Sequence, residues 1–226
     1  MGCVILVRHG RSSANKQHIL AGRTPGVGLD PTGLAQAEHL VERLAESRLT
    51  AIVSSPMDRC RATVEPLSLA RRIPVTIDER LTEVDYGQWT GRSLAELRKE
   101  PAWHTVQDQP SAMVFPGGEG LAAVSARAVA AAREHGAADD AAVLLCSHGD
   151  VLGAVVADAL GMHLDLFQRI VLAPSSISVI RYTPTRSFVE RLGDTGTLAG
   201  VGAAPDGAGA PQGGAVPGGD PGTAHA

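Results

Sequence analysis

The chain has 226 residues, of which 44% are hydrophobic and 19% charged, and its formal net charge is −4. This length suffices for one domain with a well-buried core. No run of about 18 apolar residues occurs, so no membrane-spanning helix is expected, and without a basic block nothing indicates binding to nucleic acid. The three cysteines show no C-x-x-C spacing, which argues against a disulfide framework and a zinc site. The first apolar run is too short for a signal peptide and no basic segment precedes it, so we expect a cytoplasmic protein.

The end of the chain differs in composition from the rest. Residues 199–226 consist mainly of Gly, Ala and Pro and contain no Lys, Arg or aromatic residue. Such a segment cannot bury enough apolar area to offset its ordering entropy. We therefore predict one folded domain over residues 1–198 and a disordered, non-catalytic tail over residues 199–226.

Strand-like and helix-like segments alternate along the predicted domain. Short β-branched runs predict buried strands, and amphipathic segments predict helices. In chain order these are a strand over 4–7, a helix from 30 onward, a strand over 51–54, a helix over 57–70, a strand over 75–77, helices over 93–99 and 121–134, a strand over 142–146, a helix over 151–160, and strands over 177–182 and 188–192. The alternation predicts an α/β fold, a three-layer α/β/α sandwich around a mostly parallel sheet.

The first long helix has a clear beginning. Asp30 suits the N-cap and Pro31 the first turn. The residues predicted to form its apolar face are Leu34, Ala37, Leu40, Val41 and Leu44.

Basic side chains follow three of the predicted strands. Arg8 and His9 follow the first strand, Arg59 lies in the first turn of the helix after the second, and His148 follows the strand over 142–146. In sheets of this kind, ligands bind at the carboxyl ends of the strands. Each basic residue alone is also compatible with a solvated loop charge or, for His148, a core histidine. Together they favour an anion-binding site.

Two Arg and two His side chains suit phosphoryl transfer, which needs mainly positioning and charge stabilisation. Arginine offers planar, bidentate donors to phosphate oxygens. A neutral imidazole nitrogen can attack phosphorus, and a second imidazole, if protonated, neutralises developing charge. The sequence contains no P-loop pattern and no carboxylate cluster suited to magnesium, so neither a metal nor a cofactor is predicted.

The leaving group of a phosphate ester also needs a proton. Glu83, in the stretch over residues 81–91, is the candidate donor, and Asp85 in the same loop competes with it. A carboxyl group that donates near neutral pH must have its pKa raised by burial or by negative neighbours. The alternative for both residues is capping of loop amides.

These motifs, taken in order, resemble those of the histidine phosphatase superfamily, in its phosphoglycerate mutase-like branch. The resemblance covers roughly residues 4–192. It rests on an Arg-His-Gly signature with a following Asn, a Gly and Leu-x-x-x-Gly pattern, a Ser-Ser-x-x-x-Arg run with a trailing Thr, an acid loop and a closing His-Gly. The matching residues are Arg8, His9, Gly10, Asn15, Gly22, Leu29, Gly33, Ser54, Ser55, Arg59, Thr63, the stretch over 81–91, His148 and Gly149.

The resemblance implies roles for individual residues. His9 would be the nucleophile that becomes phosphohistidine, and Glu83 the proton donor that later activates water. The residues implied to contact the phosphate or the substrate are Arg8, Asn15, Ala21, Gly22, Arg59 and His148. Relatives in this family are often dimers, so the resemblance makes a homodimer possible, and the oligomeric state stays open.

Three functions are compatible with these residues. The first is hydrolysis of a small phosphomonoester through phosphohistidine without a metal, and the alternative is a phosphoglycerate mutase-like phosphomutase. The stretch between Glu83 and His148 is shorter than in the glycolytic mutases, which favours water as the acceptor. A non-catalytic phosphate-binding module is disfavoured because the expected nucleophile and acid are both present.

Two features leave the substrate open. Arg11 stands where many relatives have Glu or Gln, and it either is solvated or reaches a second anionic group on the substrate. The aromatic residues Trp89, Trp103 and Phe115 either fill the core or form an apolar wall of the pocket.

Overall fold

The computed structural model describes residues 2–137 and 142–197. The tail predicted over residues 199–226, and the domain boundary predicted at residue 198, lie outside the described residues.

A six-stranded sheet forms the centre of the molecule, with the strand order β3-β2-β4-β1-β5-β6. The strands are β1 (Gly2–Arg8), β2 (Leu49–Ser54), β3 (Val75–Ile77), β4 (Ala142–Ser147), β5 (Ile177–Tyr182) and β6 (Ser187–Asp194). The pairs β1–β4, β2–β4 and β2–β3 are parallel, whereas β5 pairs antiparallel with β1 and with β6. The predicted mostly parallel sheet is therefore confirmed.

Seven α-helices occur in the described part of the chain: α1 (Ser13–Lys16), α2 (Pro31–Arg43), α3 (Asp58–Arg71), α4 (Leu94–Leu97), α5 (Trp103–Asp108), α6 (Leu121–His135) and α7 (Gly149–Ala159). Short 3-10 helices cover Glu79–Leu81, Gly87–Trp89, Pro110–Ala112 and Leu164–Arg169. Helices α1 and α5 were not predicted from the sequence, and the helix predicted over residues 93–99 is a single turn. Among residues 2–137 and 142–197, no helix has the length and apolar character needed to cross a membrane.

Both faces of the sheet are covered. Alternate residues of β1 point to opposite sides, as the pleat of a strand requires. Ile5 and Val7 join one apolar cluster with residues of α2 and α3, and Val4 and Leu6 join another with residues of α6 and α7. This two-sided burial produces the predicted three layers and explains why β1 is almost entirely apolar.

The start of α2 agrees with the prediction. The Asp30 side chain accepts a hydrogen bond from the Gly33 amide at 2.8 Å, and Pro31 occupies the first turn. The predicted apolar face is wrong at Leu34, which is 54% exposed, whereas Leu40 is fully buried. Gly33 takes the inward position of the first turn, so the next residue, rotated by about 100° around the axis, points to solvent.

The two leucines of α2 offer a matched test of this packing. We expect Leu40→Ala to lower the free energy of unfolding by about 2–5 kcal/mol because it leaves a cavity in the core. Leu34→Ala should change it by less than about 0.5 kcal/mol, as an exposed substitution does. Equilibrium denaturation of both variants measures the difference, and equal losses would contradict the burial described here.

Candidate active site

The three strand ends singled out in the sequence meet at one edge of the sheet. β1 and β2 both pair with β4, which brings Arg8 opposite Ser147 and Ser54 opposite Cys146. Backbone hydrogen bonds continue past the strands, since the His9 amide donates to the Ser147 carbonyl at 2.9 Å. The side chains of Arg8, His9, Arg59, Glu83 and His148 are all buried there.

His9 has one ring nitrogen engaged by its own loop. Its Nδ1 lies 2.7 Å from the Gly10 carbonyl oxygen, which can only accept, so Nδ1 carries the proton. The other nitrogen, Nε2, accepts a hydrogen bond from Arg59 Nε at 3.3 Å. Burial, and then the charges of Arg59 and Arg8, hold the pKa of His9 well below its ordinary value. At neutral pH the ring is therefore uncharged, and its Nε2 lone pair faces the guanidinium group of Arg59.

Arg59 connects most of the site. It extends from the first turn of α3, and its Nη2 donates to the Gly22 carbonyl oxygen at 2.9 Å and to His148 Nδ1 at 3.1 Å. The same nitrogen lies 3.6 Å from Glu83 Oε2. Its Nη1 is buried and has no hydrogen-bond partner among the described residues. A buried donor of this kind is normally satisfied, so Nη1 is suited to an anionic ligand.

Arg8 supplies the second buried guanidinium. Its Nη1 donates to the Leu172 carbonyl oxygen at 2.5 Å, which holds the side chain against the segment before β5. Burial lowers the pKa of Arg8, and Glu83 and Asp150 act in the opposite direction. An arginine nevertheless stays protonated in proteins, so the site contains two fixed positive charges.

His148 lies between Arg59 and Ser55. Because Arg59 can only donate, Nδ1 of His148 accepts, and its proton lies on Nε2, 2.8 Å from Ser55 Oγ. Burial first, and then the charges of Arg59 and His9, lower the pKa of His148 well below its ordinary value. The positive charge of the site therefore comes from the two arginines, and His148 contributes charge only when an anion raises its pKa.

Glu83 places its carboxyl group beside this cluster. Its Oε1 accepts from the Val84 amide at 3.0 Å, and its Oε2 lies 3.4 Å from His148 Nδ1. Burial raises the pKa of Glu83 to about 7, with Arg59 opposing and Asp150 adding to the rise. The group thus exists in both protonation states near neutral pH, which is the property required of an acid that later acts as a base.

Asp85, the competing candidate, is used differently. Its Oδ1 accepts a hydrogen bond from the Gly87 amide at 2.9 Å, which is the loop-capping role considered for it in the sequence. It does not line the cavity beside His9. The geometry therefore favours Glu83 as the acid.

The cavity beside His9 is lined by Arg8, His9, Asn15, Ala21, Arg59 and Glu83, among others. Oδ1 of Asn15 accepts from the amide and hydroxyl of Ser12, which leaves its amide donors for a ligand. Gly22 does not line the cavity; its carbonyl instead holds Arg59. No group of three or more His, Cys, Asp or Glu side chains suited to a metal ion occurs within residues 2–137 and 142–197.

The aromatic residues belong to the core. Trp89, Trp103 and Phe115 are buried, with Trp89 stacked on Trp103 at a centroid distance of 6.2 Å and edge-to-face with Phe115 at 5.3 Å. None of the three lines the cavity beside His9. The structure thus favours the core-filling alternative over the substrate wall.

Several supporting residues were not assigned roles from the sequence. Arg23 Nε and Arg127 Nη2 donate to the Glu83 carbonyl oxygen at 2.9 and 3.3 Å, and Glu119 pairs with both arginines. Thr63 Oγ1 accepts from the Gly10 amide at 2.9 Å and donates to the Arg59 carbonyl at 2.7 Å. Thr63 was matched in the sequence as the Thr one helical turn after Arg59, although its role was not assigned there; Arg127 has no comparable signal in the sequence.

The family follows from comparison with known proteins. The model of the histidine phosphatase superfamily (branch 1) matches residues 4–195, which is most of the chain. The protein therefore belongs to this superfamily, and it is an enzyme of the histidine phosphatase class.

Individual relatives show the range of this family. A probable phosphoglycerate mutase of Proteus mirabilis is 32% identical over 183 residues, covering 79% of this chain and 84% of the relative. Phosphoserine phosphatase 1 of Hydrogenobacter thermophilus is 31% identical and covers 85% of this chain and 92% of its own. The solved structure of Bacillus stearothermophilus YhfR has a TM-score of 0.79 at 28% identity and covers 85% of this chain and 96% of its own.

The close packing of the signature loop against α2 can be tested at Gly33. A Cβ atom at Gly33 would lie 2.1 Å from the Arg11 carbonyl oxygen, which is backbone and cannot move aside easily. Helix propensity alone would make Gly33→Ala stabilising by about 1 kcal/mol. We expect the opposite sign, a loss of about 1–3 kcal/mol, because the added methyl overpacks the contact.

The control for this substitution is Gly28→Ala, where an added Cβ meets nothing within 4 Å. We expect its unfolding free energy to stay within about 0.5 kcal/mol of the parent protein. Chemical denaturation gives both values. A stabilised Gly33→Ala variant would show that the loop and α2 do not touch as described.

Proposed function

We propose that the protein hydrolyses small phosphomonoesters in two steps, through a phosphoryl group carried on His9 Nε2 and without a metal ion. One observation carries this proposal. An uncharged imidazole directs its Nε2 lone pair at the buried guanidinium of Arg59, and Arg8 and a carboxyl group with a pKa of about 7 are buried in the same cluster. Nucleophile, charge stabilisation and acid are thus present together.

In the first step, Nε2 of His9 forms a bond to phosphorus while the bond from phosphorus to the ester oxygen breaks. The departing oxygen takes the proton of the Glu83 carboxyl group. Arg8 and Arg59 bind the phosphoryl oxygens. Arg59 does so through Nη1, which has no hydrogen-bond partner among the described residues. The dianion also raises the pKa of His148, so that a protonated imidazole adds a further donor.

In the second step, the Glu83 carboxylate takes a proton from a water molecule, and the water oxygen bonds to phosphorus. The bond between phosphorus and His9 Nε2 breaks and inorganic phosphate leaves. The proton from water replaces the one that Glu83 gave to the alcohol, and the lone pair of His9 Nε2 is restored. The same carboxyl group acts as acid and then as base, which its pKa near neutrality permits.

Other residues hold the substrate in this proposal. Asn15 and the backbone at Ala21 line the cavity and contact the phosphate or the alcohol portion. Gly22 acts through Arg59, whose orientation its carbonyl maintains. The relative in Hydrogenobacter thermophilus, a phosphoserine phosphatase, supports water as the acceptor.

A phosphomutase is the second candidate, and the probable phosphoglycerate mutase of Proteus mirabilis favours it. Both reactions share the first step and differ only in the acceptor, which is water or a second hydroxyl group. A phosphate-release assay run beside a coupled mutase assay on 2- and 3-phosphoglycerate separates them. Faster isomerisation than phosphate release would favour the mutase.

The nucleophile is tested by replacing His9. We expect His9→Ala to lower kcat by at least about 10³-fold, because no other group can accept the phosphoryl group. Rapid acid-free quenching of the parent enzyme with a ³²P-labelled ester should leave an acid-labile, alkali-stable label that is absent from His9→Ala. His39→Ala is the control, since His39 is exposed on α2.

Two results would contradict this assignment. One is equal turnover in the parent enzyme and His9→Ala. The other is loss of activity in a chelator without any phosphohistidine adduct.

The acid is tested by the pH dependence of kcat/KM. Glu83 must be protonated for the first step, so activity on an alkyl phosphate should fall about tenfold per pH unit above the carboxyl pKa of about 7. The pKa of His9 lies well below its ordinary value, so the nucleophile limits activity only at distinctly acidic pH. For p-nitrophenyl phosphate, whose leaving group needs no proton, the fall above pH 7 should be much weaker.

Substitution connects this profile to one residue. Glu83→Gln should lower kcat/KM on the alkyl ester by about 10²–10⁴-fold. It should also remove the alkaline limb of the pH profile, which is the fall in kcat/KM above about pH 7. Asp85→Asn is the matched control and should retain that limb, because Asp85 caps a turn. A limb that persists in Glu83→Gln and disappears in Asp85→Asn would reverse the assignment.

A further inference from the structure

A second cavity lies beside the one that contains His9. It has a volume of about 360 Å³ and is lined by Arg8, Arg11, Asn15, Lys16, His18 and Pro174. Arg8, Asn15 and His18 line both cavities. The two spaces therefore adjoin.

The lining of this second cavity is positively charged. Arg8, Arg11 and Lys16 contribute three cationic side chains, and no carboxylate lines it. Asp30 is the neighbouring acid, and it pairs with Arg11 Nε at 2.6 Å. Since the whole chain carries a formal charge of −4, this local excess of positive charge runs against the composition of the protein. Such concentration of one sign in a cleft attracts ligands of the opposite sign.

Arg11 is held in place rather than freely solvated. Its Nε donates to Asp30 and its Nη2 to Thr32 Oγ1 at 2.7 Å, and its backbone amide donates to Gln36 Oε1 at 2.8 Å. Asp30 is itself held as the cap of α2. Neither side-chain bond uses Nη1, so within the described part of the chain this nitrogen of an oriented guanidinium remains as a donor for a ligand. A ligand that binds it has little side-chain entropy to overcome.

The segment with His18 is also constrained. His18 has a φ of 55°, in the left-handed region that non-glycine residues seldom adopt. Its amide donates to the Asn15 carbonyl at 3.2 Å, and its carbonyl accepts from the Leu94 amide at 3.0 Å. These bonds hold a strained residue at the boundary of the two cavities, and backbone strain of this kind clusters at binding sites.

We propose that the second cavity binds a further anionic group of the substrate, a carboxylate or a second phosphate, through Arg11 and Lys16. This inference rests on the proposed phosphatase function and narrows its substrate class. Because three residues line both cavities, the second anion lies within a few bonds of the ester that is cleaved. The enzyme should thus prefer small phosphorylated acids or closely spaced bisphosphates to phosphate esters of uncharged sugars or phenols.

Matched substrates test the preference. O-phospho-L-serine is compared with phosphoethanolamine, and 3-phosphoglycerate with sn-glycerol 3-phosphate, pairs that differ in one carboxylate. A third pair, propane-1,3-diol bisphosphate and its monophosphate, tests phosphate as the second anion. We expect kcat/KM to be at least about tenfold higher for the member that carries the second anionic group in at least one pair, and the pair that shows it identifies the anion.

Substitution of lysine connects the preference to the cavity. The chain contains two lysines, Lys16 and Lys99, both exposed, and only Lys16 lines the cavity. We expect Lys16→Gln to lower the ratio of kcat/KM within the preferred pair about fivefold to tenfold. Lys16→Glu should lower that ratio further, because it reverses the charge. Lys99→Gln should leave the ratio unchanged.

The outcomes separate this inference from the proposed function. An enzyme that cleaves the esters with a ratio near one in every pair contradicts the second-anion site alone. The same conclusion follows if Lys16→Gln and Lys99→Gln have equal ratios. No phosphate release from any ester, p-nitrophenyl phosphate included, contradicts the proposed function and this inference with it.

Discussion

The site depends on the burial of one positive charge, the guanidinium of Arg59. A buried charge is tolerated only when surrounding groups satisfy it. Here the Gly22 carbonyl, His9, His148 and the Glu83 carboxyl group surround it, and they come from four separate segments of the chain. The same cation thereby orients the two imidazoles and holds one nitrogen ready for an anion.

Burial also sets the protonation states of His9 and Glu83, the two groups proposed to react, in opposite directions. Removal from water disfavours the charged form of any group. For His9 the charged form is the protonated one, so its pKa falls, and for Glu83 it is the carboxylate, so its pKa rises. A single physical cause thus yields an uncharged imidazole and a protonated carboxyl group over the same range of pH, below about pH 7.

Sequence patterns predicted the sheet and the strand ends well, because residue type and periodicity are local properties of the chain. They failed where the partner of a residue lies elsewhere. Leu34 has helical spacing, but Gly33 occupies the inward position against Arg11. Arg11 was expected either to be solvated or to reach a ligand, and in the structure its half-buried side chain is held by an ion pair with Asp30.

The sequence by itself determined the superfamily, the layered fold and which basic and acidic residues follow the strands, since these follow from residue type and spacing along the chain. Only the tertiary structure decided the tautomers of His9 and His148, the burial of Glu83 and the cavity around Arg11 and Lys16. These properties arise from contacts across long separations, such as the bond from Arg127 to the carbonyl of Glu83, 44 residues away. No periodicity in a sequence records which distant group will complete a hydrogen bond or exclude water.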